Sequence, residues 1–484
     1  MMSRWLFIFV LPVVFPITGC IQVGPDYQRP EMDSHATWAA SKKASFNQAL
    51  PEDIETWWRA LQDPVLNSLV DRAFNANLDL AIAVQRVRQA AANRGIAAGE
   101  RFPDLDGSGS YSRERQGANN FPALTDPQEF NSYALGFDLA WELDVWGRVS
   151  RLIESADADL EASIEGLHDV RLILAAEVAT EYVQLRTAQA RLEVAERNIE
   201  IQKRSFEITK ARFDAGAAPQ LDVSQAETNL ANTEAEVPSL KSDVRNSLLR
   251  LAVLLGENPT ALIEDLSTPA AVPTSPEEIA VGIPADILRR RPDIRLAERT
   301  LAAEVARIGV EVAEFYPRFT LGGTFQYSAT NSGVLFDSDS SGFGFGPSFS
   351  WNLFDGGRVR NAVRAQEAIA DQALLEYRST VLTAFEEVES AMYTHARELE
   401  RAEALSRASN AAQQSADLSR QLYLEGRSDF QSVLDSEREL FSAEDNLILS
   451  RSQAVATYIT LQRSLGGGWS PYLDEGEEKD GSEE

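Results

Sequence analysis

Two stretches of the chain alternate strictly between apolar and polar residues. In 342–353 the odd positions are Phe343, Phe345, Pro347, Phe349, Trp351 and Leu353, and the even ones are Gly, Ser or Asn. In 132–145 Tyr133, Leu135, Phe137, Leu139, Trp141, Leu143 and Val145 alternate with Ser132, Ala134, Gly136, Asp138, Ala140, Glu142 and Asp144. A period of two over such lengths predicts strands with one apolar and one polar face. Weaker alternations, at Leu105 to Ser112 and at Phe319, Leu321, Phe325 and Tyr327, predict a partner strand for each. The GFGFG run at 342–346 lacks the following helix and the Lys or acidic partner of a nucleotide loop, so it reads as strand.

Long helical segments follow both strong strands. Residues 358–422 contain neither Gly nor Pro, and 148–212 contain only Gly166. At 1.5 Å per residue each would extend roughly 100 Å. Leu185, Leu192, Ile199, Phe206 and Phe213 recur every seventh position, and Val381, Phe385, Val388, Met392 and Leu399 keep a similar seam. Such spacing holds one apolar edge against a partner helix, as in a coiled coil. Pro238 falls inside a helix expected at 220–255, where it predicts a kink.

The chain is internally duplicated. At one constant offset Trp141 aligns with Trp351, Gly147-Arg148-Val149 with Gly357-Arg358-Val359, Gly216 with Gly426, Glu227 with Glu437, and Leu255-Gly256 with Leu465-Gly466. The copies span 62–256 and 287–466, each reading helix, strand, strand, long helix, turn, helix, and a Pro-rich linker at 257–286 joins them. The strand-to-helix junctions fall at Gly147 and at Gly356-Gly357, where the glycines and Asp355 relax the backbone, and the tip turns fall at Gly216 and Gly426.

Aromatics on one strand face with Asp, Ser and Gly on the other are the signature of a membrane β-barrel around a wet lumen. Four strands cannot close a barrel, and an open edge leaves backbone groups unpaired in lipid. The expected fold is therefore an α+β membrane protein that oligomerises. Three copies would give twelve strands.

Composition narrows the partners. Acids outnumber bases 74 to 45, for a net charge of −29, and no basic stripe appears, which argues against nucleic acid. Residues 467–484 form an acidic tail. The single cysteine, Cys20, excludes an intramolecular disulfide and a Cys-based metal site. Residues 1–19 read as a signal peptide with Arg4, an apolar run and small residues before Cys20. Ile17-Thr18-Gly19-Cys20 resembles a lipobox, so Cys20 is the expected site of lipid attachment and 20–61 a lipid-anchored segment; the alternative is an ordinary secreted protein with a chance cysteine. His35, His168 and His395 are scattered without ligand spacing and read as surface residues, so no metal, cofactor or catalytic constellation is expected. Arg289-Arg290-Arg291-Pro292-Asp293 suits structural ion pairs at a helix start rather than nucleic acid.

Several motifs together resemble the TolC-like outer-membrane efflux proteins, in their lipoprotein, OprM-like branch. They are Val23-Gly24-Pro25-Asp26-Tyr27, Trp57-Trp58 before Asp63-Pro64, Asn77-Leu78-Asp79-Leu80, Arg289 to Ile294, Ile308-Gly309 through Tyr316-Pro317, and Leu465 to Trp469. The resemblance implies a trimeric twelve-stranded β-barrel, four strands per chain, in the outer membrane. A long α-helical coiled-coil barrel would continue it through the periplasm. It also implies a periplasmic adaptor and an inner-membrane RND-type transporter as partners and small-molecule efflux as function, with type I protein secretion as the alternative. Its closed tip implies a gate at Asp435, with Asp222, Tyr423 and Arg427 in supporting contacts; a second acidic position of some members is Ser432 here. The competing reading makes Ser432-x-x-Asp435 and Asp222-x-x-Gln225 capping boxes.

Overall fold

The computed structural model describes residues 22–32, 37–39, 46–47, 54–116, 128–276 and 278–469. The expectations for the signal peptide, Cys20, His35 and the acidic residues from 470 onward lie outside them. The elements run β1 (Phe46–Asn47), a 3-10 segment (Ile54–Leu61), α1 (Pro64–Ala76), α2 (Leu78–Gly99), β2 (Asp104–Gln116), β3 (Gln128–Leu143), α3 (Arg148–Asp214) and α4 (Gln220–Leu254). Then come β4 (Ile279–Ala280), α5 (Pro284–Arg290), α6 (Pro292–Ala313), β5 (Arg318–Ala329), β6 (Ser341–Ser350), α7 (Arg358–Leu424) and α8 (Phe430–Ser464). The residues group into two compact units that cut across the sequence duplication, each drawing on both copies.

The first unit holds the sheet, in the order β2-β3-β5-β6, antiparallel throughout. Its register sorts the faces. Gly107, Phe137, Phe325 and Phe343 form one cross-strand row, and Leu105, Leu139, Gly323 and Phe345 another. On the opposite face Asp106, Asp138, Thr324 and Gly344 stand in line. Glycines sit beside large residues: a Cβ on Gly107 would lie 3.6 Å from the Phe137 ring. The apolar face is bare in the single chain, with Phe343 87% and Phe345 72% exposed.

β6 ends at Ser350, short of the expected 353, because its partner β5 begins at Arg318, the residue opposite Ser350; beyond it Trp351 donates from Nε1 to the Phe315 carbonyl at 3.0 Å. Trp141 makes the corresponding bond to the Arg101 carbonyl at 2.9 Å while remaining in β3. At the junctions Gly147, Gly356 and Gly357 have φ of +76°, +68° and +87°, which L side chains rarely adopt. The neighbouring aspartates have a more definite task than relaxing the chain. Asp144 accepts from the Val149 and Ser150 amides at 2.9 and 2.8 Å, and Asp355 from Gly357 and Val359 at 2.8 Å each. Both cap the first turn of a long helix, and these amides hold the Asp355 carboxyl below its usual range.

Residues 22–26 lie against this unit. Arg151, 2% exposed, donates to the carbonyls of Val23 at 3.1 Å and Gly24 at 3.4 Å, and to Asp26 at 2.6 Å. A Cβ on Gly24 would collide with the Gly309 backbone, and one on Gly309 would stand 2.7 Å from the Arg151 Cγ. Close approach therefore requires glycine at both.

The second unit contains the main core. Trp57 and Trp58 pack edge-to-face at 5.8 Å, among Leu66, Leu69, Tyr182, Leu185, Leu251, Val381, Met392 and Tyr458, all under 3% exposed. Asp63 caps α1 through Oδ1, while its Oδ2 accepts from the Tyr182 hydroxyl at 2.6 Å. Asn77 caps α2 through Leu80 and donates to the Leu254 carbonyl at 2.8 Å, tying α4 to α2. Arg291 makes the ion pairs expected of its motif, bidentate to Asp293 and single to Glu387 at 2.7 Å. α4 runs through Pro238 without a break.

The described histidines are not on the surface. His168, 8% exposed, stacks on Trp469 with ring centroids 4.4 Å apart and bonds Glu165. His395 is fully buried, with Nδ1 2.9 Å from the Thr457 hydroxyl. Packing on neighbouring aromatics and hydroxyls explains both positions. Among the described residues no group of three or more His, Cys, Asp or Glu could hold a metal ion.

Candidate functional site

The two helix-to-helix turns lie in the second unit and are built alike. Gly216 and Gly426 both have φ of +73°. After each, an amide reaches back to close the preceding helix: Ala217 to the Arg212 carbonyl at 2.7 Å and Arg427 to that of Leu422 at 2.8 Å. This is the Schellman closure, which needs a left-handed residue at the glycine position.

Between the turns sits a small apolar cluster of Ala226, Tyr423, Phe430, Val433 and Leu434. Tyr423 is 6% exposed, its ring 5.4 Å from Phe430. The Arg212 guanidinium lies 4.5 Å from the same ring and donates to the Tyr423 carbonyl at 2.9 Å, joining the ends of α3 and α7. The Tyr423 hydroxyl has no hydrogen-bond partner, so the Asp222–Tyr423 contact is not made within one chain. Asp222 is half-buried in the first turn of α4. Burial and then the facing Asp429 push its carboxyl up, while Arg212 opposes them. Arg427 is exposed and pairs with Glu425 at 3.1 Å.

The capping-box reading fails at both turns. The residue that caps α8 is Asp429, whose Oδ1 accepts from the Ser432 amide at 2.9 Å and hydroxyl at 2.7 Å. Asp435 lies beyond that first turn, exposed, accepting from the Gln431 amide at 2.8 Å. α4 starts after Pro219 with no side-chain cap, and Asp222 is already inside it. Neither aspartate is thus committed to ending a helix.

Pattern reading missed Glu437. It is 1% exposed on α8, with Oε1 accepting from Ser205 of α3 at 2.6 Å and Arg420 of α7 at 3.5 Å. Its Oε2 has no partner, and burial raises its pKa despite the Ser205 and Arg420 contacts. The aligned Glu227 of the first copy is exposed, so the copies have diverged here.

Comparison with known proteins follows the same lines. A family model described as outer membrane efflux protein matches residues 69–257 and 283–467. Nodulation protein T of Rhizobium leguminosarum bv. trifolii is 34% identical over 463 residues, covering 95% of this chain and 97% of its own. The toluene efflux pump outer membrane protein TtgI of Pseudomonas putida is 32% identical, covering 93% and 96%. The structure of the outer-membrane channel OprN superposes with a TM-score of 0.87 at 38% identity, covering 93% of this chain and 100% of that one.

Proposed function

The chain belongs to the outer membrane efflux protein family and is an outer-membrane efflux channel, and on that footing we propose that three copies form the exit duct of a tripartite pump. One observation carries the proposal: a four-stranded sheet with an exposed aromatic face, an acidic and hydroxylic face, and unpaired outer edges on β2 and β6. In lipid each unsatisfied backbone group costs several kcal/mol, so these edges need partners. Joining β6 of one copy to β2 of the next, three times, gives a closed barrel of twelve strands. The aromatic rows then face lipid, and the Asp106–Asp138 face lines the passage.

The long helices α3 and α7 would continue that barrel into the periplasm, with the tips as its gate. Threefold symmetry places Asp435 in a ring of like charges, which narrows a pore and favours cations. The Tyr423 hydroxyl is unpaired but enclosed, so it would meet Asp222 of a neighbouring copy only once its side chain turns out of the tip cluster, and the exposed Arg427 lies on the same turn. A periplasmic adaptor would engage this end and an inner-membrane RND-type transporter would supply the cargo. The toluene-pump relative supports a small-molecule cargo over secreted protein. Acylation at Cys20 would hold the duct to the outer membrane.

The experiment is single-channel conductance in planar bilayers, with native mass spectrometry of the same preparation. A trimer with a small cation-selective conductance, increased by Asp435→Ala and by Asp222→Ala with Tyr423→Phe, is expected. A folded trimer with no conductance would overturn the duct; a large conductance indifferent to these changes would overturn the gate.

A further inference from the structure

The aromatic face of the sheet, apolar from Leu143 to Tyr133 along β3, ends at a row of tyrosines. Tyr111 and Tyr133 pair across the strands with ring centroids 4.9 Å apart, and the Tyr111 hydroxyl donates to Asn131, one row farther from α3, at 3.2 Å. Aromatic side chains with an apolar body and a polar tip mark the edges of a membrane's hydrocarbon. The stretch from Leu143 to Tyr133 measures about 34 Å along the strand, hence roughly 24–28 Å across the membrane at the usual strand tilt of about 35–45°. The apolar band of an outer-membrane barrel is about 25 Å tall. The hydrocarbon is therefore used up at the tyrosines.

The next two positions of β2 on this face are Arg113 and Arg115, opposite Asn131 and Glu129. These arginines and Glu129 are the only charged residues on this face of the four strands. The opposite face carries acids, Asp104, Asp106, Glu114, Asp138 and Glu142, against a single base, Arg318. A strongly acidic chain thus sets two cations on its lipid side, just past the hydrocarbon. Arg113, 67% exposed, gives one nitrogen to Glu129 at 2.7 Å, while Arg115 is exposed and in no ion pair among the described residues. Each guanidinium has five N–H donors in a fork that matches phosphate oxygens, so most of this capacity is unspent. We propose that Arg113 and Arg115 dock the phosphates of the glycolipid that forms the outer leaflet, an inference that rests on the orientation read above, with the tips in the periplasm. Glu129 holds Arg113 across the strands and competes with the lipid for it.

The test is native mass spectrometry of the full-length protein in detergent, with added bisphosphorylated lipid A or its dephosphorylated form. Tighter binding of the first is expected. Arg113→Gln and Arg115→Gln, both at exposed positions, should each weaken it about fivefold, the effect of one basic residue at an anionic headgroup. Glu129→Gln should tighten it by freeing Arg113, a gain that a purely structural ion pair does not predict. Equal binding of the two lipids, or equal binding by wild type and the double arginine variant, would overturn the proposal. So would arginine variants whose trimers dissociate in lipid-free detergent, since that assigns the arginines to Asp337 or Asp339 of a neighbouring copy. The same spectra count subunits: arginine-dependent adducts on monomers alone would overturn the duct and keep the lipid site, and trimers without such adducts would do the reverse.

Discussion

Arg151 offers a measurable hold on the N-terminal segment. In Arg151→Met the stem that packs beside Gly309 is kept and the guanidinium is lost, with its bonds to Val23, Gly24, Asp26 and Glu154. The contributions are unequal. Asp26 is 83% exposed and Glu154 40%, so those ion pairs are worth at most about 1 kcal/mol each. The Gly24 bond is long, which leaves the Val23 carbonyl as the main backbone contact, worth about 1.5 kcal/mol from a charged donor. A total of about 2–3 kcal/mol corresponds to a roughly thirty- to 150-fold larger population of the detached segment. The reporter is the Val23 amide, which bonds the Trp146 carbonyl at 3.1 Å. Its hydrogen exchange, followed by mass spectrometry, should accelerate by that factor while exchange in β3 and β5 stays unchanged. Unchanged exchange at Val23 would refute the reasoning, because Gly24 and Gly309 would then hold the segment by fit alone.

Asp429→Ala should cost about 1 kcal/mol and speed amide exchange in the first turn of α8, whereas Asp435→Ala should leave that turn alone. Glu437 has a raised pKa in the folded chain, so its stabilising contribution is present below its ordinary value of 4.5 and is lost as pH rises through the raised one. Glu437→Gln should therefore melt higher than wild type at pH 8 and no higher at acid pH; equal melting at both would refute it. For His395 burial depresses the pKa to about 4 from 6.5, so stability is present above 6.5 and lost as pH falls through about 4. A variant His395→Gln should flatten that acid limb, on the order of 3 kcal/mol, in thermal melts between pH 7 and 4.

The strands were legible because alternation over ten or more residues has no competing explanation, and the register pairs Phe137 with Phe325 and Phe325 with Phe343. Their ends were less so. Trp351 extends the alternation but lies past Ser350, the last residue with a partner on β5, an end that no local pattern reveals. At the tips the spacing of Ser432 and Asp435 imitates a capping box, while the true cap was available from a simpler signal: Asp429 immediately precedes the first apolar residue, Phe430. The buried states of Glu437, His168 and His395 were illegible, since each depends on side chains of other helices or on Trp469. Tyr423 was singled out by resemblance, but its contact with Arg212 arises only when the ends of α3 and α7 meet.

The order β2-β3-β5-β6 also bears on how the chain is made. The central seam pairs Tyr133 with Ala329, so β3 waits through the synthesis of α3, α4, the linker and α6 before its second neighbour exists. Until then the first hairpin presents its aromatic rows with both edges unsatisfied, a state prone to sticking to other chains. A polypeptide ending after α4 would retain that defect permanently. The topology thus makes completion of the second half a condition for covering the inner edge of β3, while the outer edges of β2 and β6 and the aromatic face still await neighbouring copies.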